Sequence, residues 1–252
     1  MRYKTDTGVQ VLARAAAIMR ICKDAPGGLS LGTIADRSNL PRSTVQRIVA
    51  ALAAEGLLLA SGDAGSIRIG PGLHALAGSA RFDMVEIAHP HLKRLSDETG
   101  ETVDLAVLRQ DHMVFVDQIA GSHRLRAVSA VGERFPLHCT ANGKAALARL
   151  DEAAFNDICS RGLERFTAAT ITTKAALRKE MQRIALTGFA VDRQEHSPGI
   201  SAIGAALEDI TGAIYAVSIP MPSLRFARRR SAFQAALLNT VTLLAEELGA
   251  KR

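Results

Sequence analysis

The stretch Leu29–Leu57, LSLGTIADRSNLPRSTVQRIVAALAAEGL, decides the fold of the first part of this chain. It predicts two short helices joined by a tight turn, because apolar residues recur at helical spacing on both sides of residues 39–41. Ser30 is placed to cap the first helix with its hydroxyl, and Pro41 suits the start of the second helix. The apolar residues of the second helix form one stripe, which we expect to face inward: Val45, Ile48, Val49 and Leu52.

The outward face of the second helix carries the chemistry that suits DNA. An arginine offers a rigid donor fork to guanine edges or phosphate, and glutamine pairs with adenine through two hydrogen bonds. Serine and threonine at helix starts contact phosphate together with free backbone N–H groups. We therefore predict DNA contacts from Ser30, Arg42, Ser43, Thr44, Gln46 and Arg47. The alternative is a helical hairpin whose polar face is merely solvated.

A short hairpin is predicted directly after these helices. Residues 57–60 are apolar, residues 61–66 are rich in turn formers, and residues 67–69 alternate. This pattern is typical of two strands with a polar tip, and a hairpin after a recognition helix is a wing. Arg68 would then reach the DNA backbone or minor groove, although an ordinary solvent-facing strand residue explains it equally well.

The regions around this core are helical, and the pattern changes in the second part of the chain. A helix over 9–21 is expected to pack behind the helical pair, and a connecting helix over 73–81 ends near Phe82-Asp83, where we place the domain boundary. Beyond it, the spacing predicts helices over 84–99 (interrupted by Pro90), 141–150, 152–159, 174–187 and 226–248. Strands are predicted over 102–108, 113–116, 125–131, 189–191, 200–207 and 213–219. Antiparallel strands with surrounding helices indicate an α+β domain.

Charge and composition narrow the functional classes. The net charge is +6, of which the first 80 residues carry +4, as expected of a region that meets phosphate. No apolar run approaches the ~18 residues of a membrane span, and the first residues lead into a periodic helix rather than a signal peptide. Three widely separated cysteines are typical of a reducing compartment. We therefore expect a cytoplasmic protein without a membrane partner.

No residue pattern indicates catalysis, a cofactor or a metal. His138 and Cys139 are adjacent, and neighbouring side chains on a strand point to opposite faces, so no base would activate the thiol. The His89-Pro90-His91 segment lacks further metal ligands and favours a helix boundary. The basic run Arg228–Arg230, with Arg225, favours a solvated surface or a subunit contact over DNA. We therefore expect no enzyme.

Seven motifs in this order resemble the IclR family of bacterial transcriptional regulators: Gly28–Leu31, Leu40–Arg47, Glu55–Leu57, Ile69–Leu73, Pro136–Ala145, Gly188–Glu195 and Pro198–Ala205. The resemblance implies a winged helix-turn-helix domain over 1–72, a linker helix over 73–82 and, over 83–252, an effector-binding and oligomerisation domain. That domain would be similar to GAF or profilin-like folds, with an antiparallel sheet. The resemblance also implies a homodimer or dimer of dimers on double-stranded operator DNA. The expected effector is a small organic acid, and the expected target is a catabolic operon.

The resemblance also implies an effector site. Thr140 is placed to cap an apolar helix, and the free N–H groups of Ala141, Asn142 and Gly143 would form an anion seat at its start. A capped helix start without a ligand is the alternative. Asp192 matches a position that contacts effector in the family, but would otherwise be a turn or surface carboxylate. Ile200 matches an apolar wall position, and a plain core role is equally open.

Ala202 departs from the family pattern, in which a cysteine at this position frequently touches the ligand. Alanine removes a weak donor and leaves room, which predicts a larger or less polar ligand than a two-carbon acid. Asn142 places an amide where smaller side chains are common, which also predicts altered specificity. Two rival functions remain: an enzyme with an accessory DNA-binding module, and a constitutive DNA-binding architectural protein whose sensor domain is degenerate.

Overall fold

The computed structural model describes residues 7–61, 66–79 and 83–248. The chain divides into two compact units, Met1–Phe82 and Asp83–Arg252, each with its own core. The predicted wing tip at 62–65 and the end of the predicted linker helix at 80–82 lie outside the described residues.

The first unit has four described helices and one hairpin: α1 (Thr7–Lys23), α2 (Leu31–Ser38), α3 (Arg42–Ala54), β1 (Leu58–Ser61), β2 (Ser66–Ile69) and α4 (Pro71–Ser79). Ser30 caps α2 as predicted, because its hydroxyl accepts from the Thr33 N–H at 3.1 Å. Asn39 ends α2 in the left-handed conformation, and α3 begins directly after Pro41. The predicted stripe of α3 is buried against Ile18 of α1 and Ile34 of α2 in one apolar cluster.

The hairpin is anchored to the start of the helical pair. Strands β1 and β2 are antiparallel, and Leu29 and Ile67 exchange two backbone hydrogen bonds of 2.9 and 2.7 Å. The base of the hairpin is tight, since a Cβ on Gly70 would lie 2.2 Å from the Gly56 carbonyl oxygen. Any larger residue at Gly70 would force this turn apart, so the hairpin position depends on glycine there.

The second unit is an α+β domain around one antiparallel sheet. Its strands are β3 (Val103–Arg109), β4 (His112–Ile119), β5 (Arg134–Pro136), β6 (Ala190–Arg193), β7 (Ile200–Glu208) and β8 (Ile214–Pro222). Its described helices are α5 (Met84–Thr99), α6 (Ala141–Leu147), α7 (Glu152–Ser160), α8 (Lys174–Thr187) and α9 (Ser223–Glu247). The strand order is β5-β4-β3-β8-β7-β6, and every pairing is antiparallel.

Two apolar clusters cover the two faces of this sheet. One joins α5 and α9 to inward residues of β3, β7 and β8, with Leu92 and Phe233 fully buried in it. The other joins α6, α7 and α8 to the opposite face, around Leu147 and Leu177. The antiparallel sheet is therefore buried on both faces over much of its area. No described helix is long and apolar enough to cross a membrane.

Residues 125–131 were expected to form a strand, and this is wrong. The chain is irregular there, and the third strand of that edge is β5, three residues further along. Gly132 turns the backbone at a φ of 91°, and its N–H donates to the Phe115 carbonyl, so pairing with β4 starts only after the turn. Leu125 and Val131 are 69% and 63% exposed, so this segment has no buried face to hold it in the sheet.

Pro90 does not interrupt α5. The helix is continuous from Met84 to Thr99 and ends at Gly100, whose φ is 74°. A proline at this point removes the hydrogen bond to the Glu86 carbonyl. Burial of Ala88, Leu92 and Leu95 on either side holds the helix in place.

Candidate functional site

The exposed face of α3 presents the polar residues that the sequence singled out. Arg42, Ser43, Gln46 and Arg47 are exposed, and Thr44 is half-buried. Neither arginine pairs with an acidic group or carbonyl of any described residue. Two exposed guanidinium groups on the first turns of one helix, with all their donors available, suit a polyanionic partner.

Ser30 and Arg68 lie on either side of this helix in the chain. The Ser30 hydroxyl is exposed, but it already caps α2 and contacts the Thr33 hydroxyl at 2.9 Å. Arg68 is exposed on β2, directly opposite Leu59 in the register. If Ser30 contacted phosphate, the same hydroxyl would have to serve both the phosphate and the cap of α2. The guanidinium N–H donors of Arg68, in contrast, have no partner within the described part of the chain.

A cavity of about 350 Å³ lies in the second unit. One face of the sheet forms its floor, because directly opposed residues of an antiparallel sheet project to the same side. Asp104 of β3 is opposite Ser218 of β8, and Asp192 of β6 is opposite Ala202 of β7. Ile200 lines the same cavity, so the three predicted residues of β6 and β7 meet there.

The first turn of α6 forms another wall of the cavity. Thr140, Ala141 and Asn142 line it. Close contact with the sheet requires Gly204 of β7, where a Cβ would lie 2.8 Å from the Ala141 carbonyl carbon. The structure therefore brings together five of the six predicted effector residues.

Gly143 is the exception, and the expected free N–H at this residue is wrong. Its N–H donates to the Thr140 hydroxyl at 3.1 Å and to the Asn142 side-chain oxygen at 2.8 Å. Gly143 lies beneath the wall, where a Cβ would come within 2.5 Å of the Pro136 carbonyl. Helix geometry gives the N–H groups of Ala141 and Asn142 no intrahelical acceptor, so two donors of the predicted seat remain.

Asp192 has both of the roles that the sequence left open. It lines the cavity, and its carboxylate also accepts from the Glu195 N–H at 2.7 Å, which holds the turn after β6. Burial raises the pKa of Asp192 to about 7, opposed by the hydrogen bond from Glu195. A buried carboxyl with this pKa is partly protonated near neutral pH.

Asp104 is a further buried carboxyl that the sequence analysis did not single out. It is 1% exposed, and one of its oxygens accepts from the Gln118 amide at 2.6 Å. Burial raises the pKa of Asp104 to about 7, while the Gln118 bond lowers it and nearby Glu133 raises it further. The sequence feature that could have identified Asp104 is the presence of an acidic residue within the largely apolar strand pattern of residues 102–108.

The remaining walls are aromatic and polar. The rings of Phe115 and Phe135 stack with centroids 4.6 Å apart, and His196 lies 5.3 Å from Phe135. Burial lowers the pKa of His196, which favours its neutral form. Glu133 lines the cavity as well, and no lysine or arginine of the described chain does. The cavity therefore combines three carboxyl groups with an aromatic wall.

The His138-Cys139 pair has no catalytic geometry. His138 donates through Nε2 to the Glu164 carbonyl at 2.8 Å, and burial raises the pKa of Cys139 to about 12. His89 and His91 each contact a different carboxylate, of Asp117 and Glu247. No three potential metal ligands are grouped within the described ranges.

Comparison with known proteins assigns both units. The IclR helix-turn-helix domain matches residues 11–60, and the C-terminal domain of IclR bacterial transcriptional regulators matches residues 77–246. The chain belongs to the IclR family. The Mycobacterium tuberculosis HTH-type transcriptional regulator Rv1719 is 46% identical over 235 residues, covering 93% of this chain and 91% of that protein.

Solved IclR structures share this fold. The IclR protein of Thermotoga maritima has a TM-score of 0.63 and 27% identity, covering 95% of this chain and 99% of that one. An IclR homologue of Microbacterium hydrocarbonoxydans, solved in complex with 4-hydroxybenzoate, has a TM-score of 0.62 and 23% identity, covering 94% and 98%. This IclR-family chain is therefore a DNA-binding transcriptional regulator and not an enzyme.

Proposed function

We propose that this IclR-type regulator reads operator DNA through Arg42, Ser43, Gln46 and Arg47 and changes its grip when a small molecule fills the cavity of the second unit. The observation that carries the DNA contact is the exposed face of α3, whose guanidinium groups have no partner among the described residues. Phosphate contacts supply salt-sensitive affinity, while contacts to base edges supply specificity. Ser30, Thr44 and Arg68 would add register contacts.

The narrower expectations stay predictions. The family resemblance implies that the effector is a small organic acid, that the target is a catabolic operon and that the assembly is a homodimer or a dimer of dimers, and the cysteine spacing predicts that the protein acts in the cytoplasm. Two subunits would place recognition helices in successive major grooves, which predicts a roughly palindromic operator. A homologous fold that holds 4-hydroxybenzoate supports a small organic effector for this chain as well.

Effector binding changes DNA affinity only if the effector prefers one arrangement of the regulator over another. The coupling is reciprocal, so operator DNA must change effector affinity by the same factor. This reciprocity distinguishes the proposed regulator from an architectural protein with a degenerate sensor, in which the two affinities would be independent.

The test is operator binding by the R42A/R47A double variant of the full chain. Mobility shifts on the DNA upstream of its own gene are measured at several salt concentrations. We expect at least a tenfold loss of affinity and a shallower salt dependence, since two phosphate or base contacts are removed. The matched control is R109A/R161A, which removes two exposed arginines of the second unit and should leave affinity unchanged. Equal affinity of the folded R42A/R47A variant and wild type would refute the proposed DNA contact.

A further inference from the structure

The cavity is acidic on the side where β3 meets β8. Asp104 and Ser218 are cross-strand neighbours, 1% and 4% exposed, and both line the cavity. The Ser218 hydroxyl makes no hydrogen bond to any residue that the structure describes. One Asp104 oxygen is occupied by Gln118. Ser218 is a buried residue whose hydroxyl opens onto the cavity without a partner among the described residues, and Asp104 beside it has a free carboxyl oxygen, so the pair is set to receive a ligand group.

The same side of the cavity has an aromatic wall. Phe115 of β4 is paired with Ala106 of β3, so its side chain lies on the cavity floor. Its ring stacks on Phe135 at an interplanar angle of 25°. Stacked or offset rings favour a further ring, and a cavity of about 350 Å³ accommodates one substituted ring. The polar pair and the aromatic wall are thus neighbours in a single space.

The charges around this space disfavour an anion. Asp104, Glu133 and Asp192 line the cavity, and the buried cation Lys144 is bonded to Glu195 and to the Val191 carbonyl. Bringing a carboxylate beside ionised buried carboxyls costs desolvation and repulsion, and the two free N–H groups at the start of α6 offset this cost only in part because they carry partial charges. An ammonium group would meet the opposite difficulty at the helix start of Ala141 and Asn142, where two N–H groups point outward.

We propose that the effector is recognised as an uncharged aromatic alcohol, whose hydroxyl bonds to Asp104 and Ser218 while its ring lies against Phe115 and Phe135. This inference rests on the proposed function, because it assigns the chemical class of the effector to the same cavity. The hydroxyl donates to the free Asp104 oxygen and accepts from the Ser218 hydroxyl, so both buried groups gain partners. It replaces the organic acid expected from the family resemblance with an uncharged molecule that carries such a hydroxyl.

The test uses three para-substituted toluenes that differ in the polar substituent: 4-methylphenol, 4-methylbenzoate and 4-methylbenzylamine. Binding to the full chain is measured by calorimetry and by the rise in Tm, since a ligand that binds only the folded state stabilises it. We expect 4-methylphenol to bind at least about tenfold more tightly than either charged probe, the value of one good hydrogen bond to a charged group. Tighter binding of 4-methylbenzoate or of the amine would overturn the assignment.

Variants locate the contact. D104N keeps the shape but removes the charge, so 4-methylphenol should weaken about tenfold while 4-methylbenzoate gains affinity. S218A should weaken only the phenol, and it is a milder change if D104N folds poorly. The matched control, D97N, makes the same substitution on the exposed face of α5 and should change nothing. A202L fills the cavity and should abolish every response.

The failures of the two proposals are distinguishable. Binding of 4-methylbenzoate that A202L abolishes would refute the alcohol class and leave an effector-responsive regulator in place. Absence of any response to 4-methylphenol would refute the alcohol class as well. The DNA contact is judged separately by the R42A/R47A measurement, which needs no effector.

Discussion

Lys144 donates to Glu195 across 2.5 Å in the interior of the second unit, where their side chains are 0% and 6% exposed. The same ammonium group donates to the Val191 carbonyl at 2.7 Å and lies 3.4 Å from Glu180. Lys144 therefore ties α6 to β6 and to the turn that follows β6. These two elements carry Asn142 and Asp192, which line the cavity, so a structural ion pair sets the distance between two of its walls.

Replacing this lysine should be severe. K144M leaves Glu195 buried without its cation, and breaking a buried pair from one side costs about 3–5 kcal/mol. We expect K144M to lower the free energy of unfolding by that amount in urea titrations. The control is K93M, which removes one exposed lysine paired with Asp97 and should cost about 0–1 kcal/mol. A K144M loss no larger than that of K93M would contradict this role.

Asp104 should make stability depend on pH. Because burial raises its pKa from 3.8 to about 7, the folded protein holds this proton more tightly than the unfolded chain. Its contribution is fully present below about pH 4 and is lost as pH rises towards 7. Gln118, Glu133 and Ser218 surround it, and only Glu133 adds negative charge.

D104N removes this titration. We expect the Tm difference between D104N and wild type to shift in favour of the variant, by a few degrees, between pH 5 and pH 8. Thermal melts without ligand at both pH values measure it. The D97N control should keep a constant difference, and a D104N difference independent of pH would show that Asp104 titrates normally.

Arg225 should position the irregular segment that covers the cavity. Its guanidinium bonds twice to the fully buried Glu101, at 2.6 and 2.8 Å, and also to the Leu125 carbonyl at 2.7 Å. The residues that follow, 127–129, line the cavity. Arg225 belongs to the basic run near the start of α9 and forms an ion pair with Glu101. The run is therefore not wholly a solvated surface.

R225M removes both hydrogen bonds to the buried Glu101 carboxylate, which then has only His123, at 3.7 Å, as an ion-pair partner among the described residues, and it releases that segment. We expect a loss of about 3–5 kcal/mol of stability and faster amide hydrogen exchange over residues 122–131. R228M changes an exposed arginine one turn away and serves as the control, with little effect on either measurement. Unchanged exchange in R225M would mean that other contacts hold the segment.

Gly204 should control the approach of α6 to the sheet. In G204A the new methyl group would lie 2.8 Å from the Ala141 carbonyl carbon and 3.0 Å from the Asn142 nitrogen, so the first turn of α6 must shift. Overpacking of this kind costs about 1–3 kcal/mol, and the response to 4-methylphenol should weaken with it. G27A, where a Cβ meets no atom within 4 Å, is the control and should fold and respond like wild type.

Local elements were largely predictable because they follow from short-range rules. The buried stripe of α3, the Ser30 and Thr140 caps and most helices and strands lie where periodicity and cap chemistry indicate. The expected strand at 125–131 failed because apolar residues alone do not make a strand. A turn at Gly132 moved the pairing to β5.

The sequence by itself determined which residues form each element, since helical and strand periods, caps and turn formers act within a few positions. Its motifs also indicated five of the residues that line the cavity. Only the tertiary structure decided that Asp104 lies beside Ser218 and that Lys144 reaches Glu195. Those contacts depend on strand register and on packing between distant segments, and a slip of one residue in β3 would turn Asp104 to the other face of the sheet.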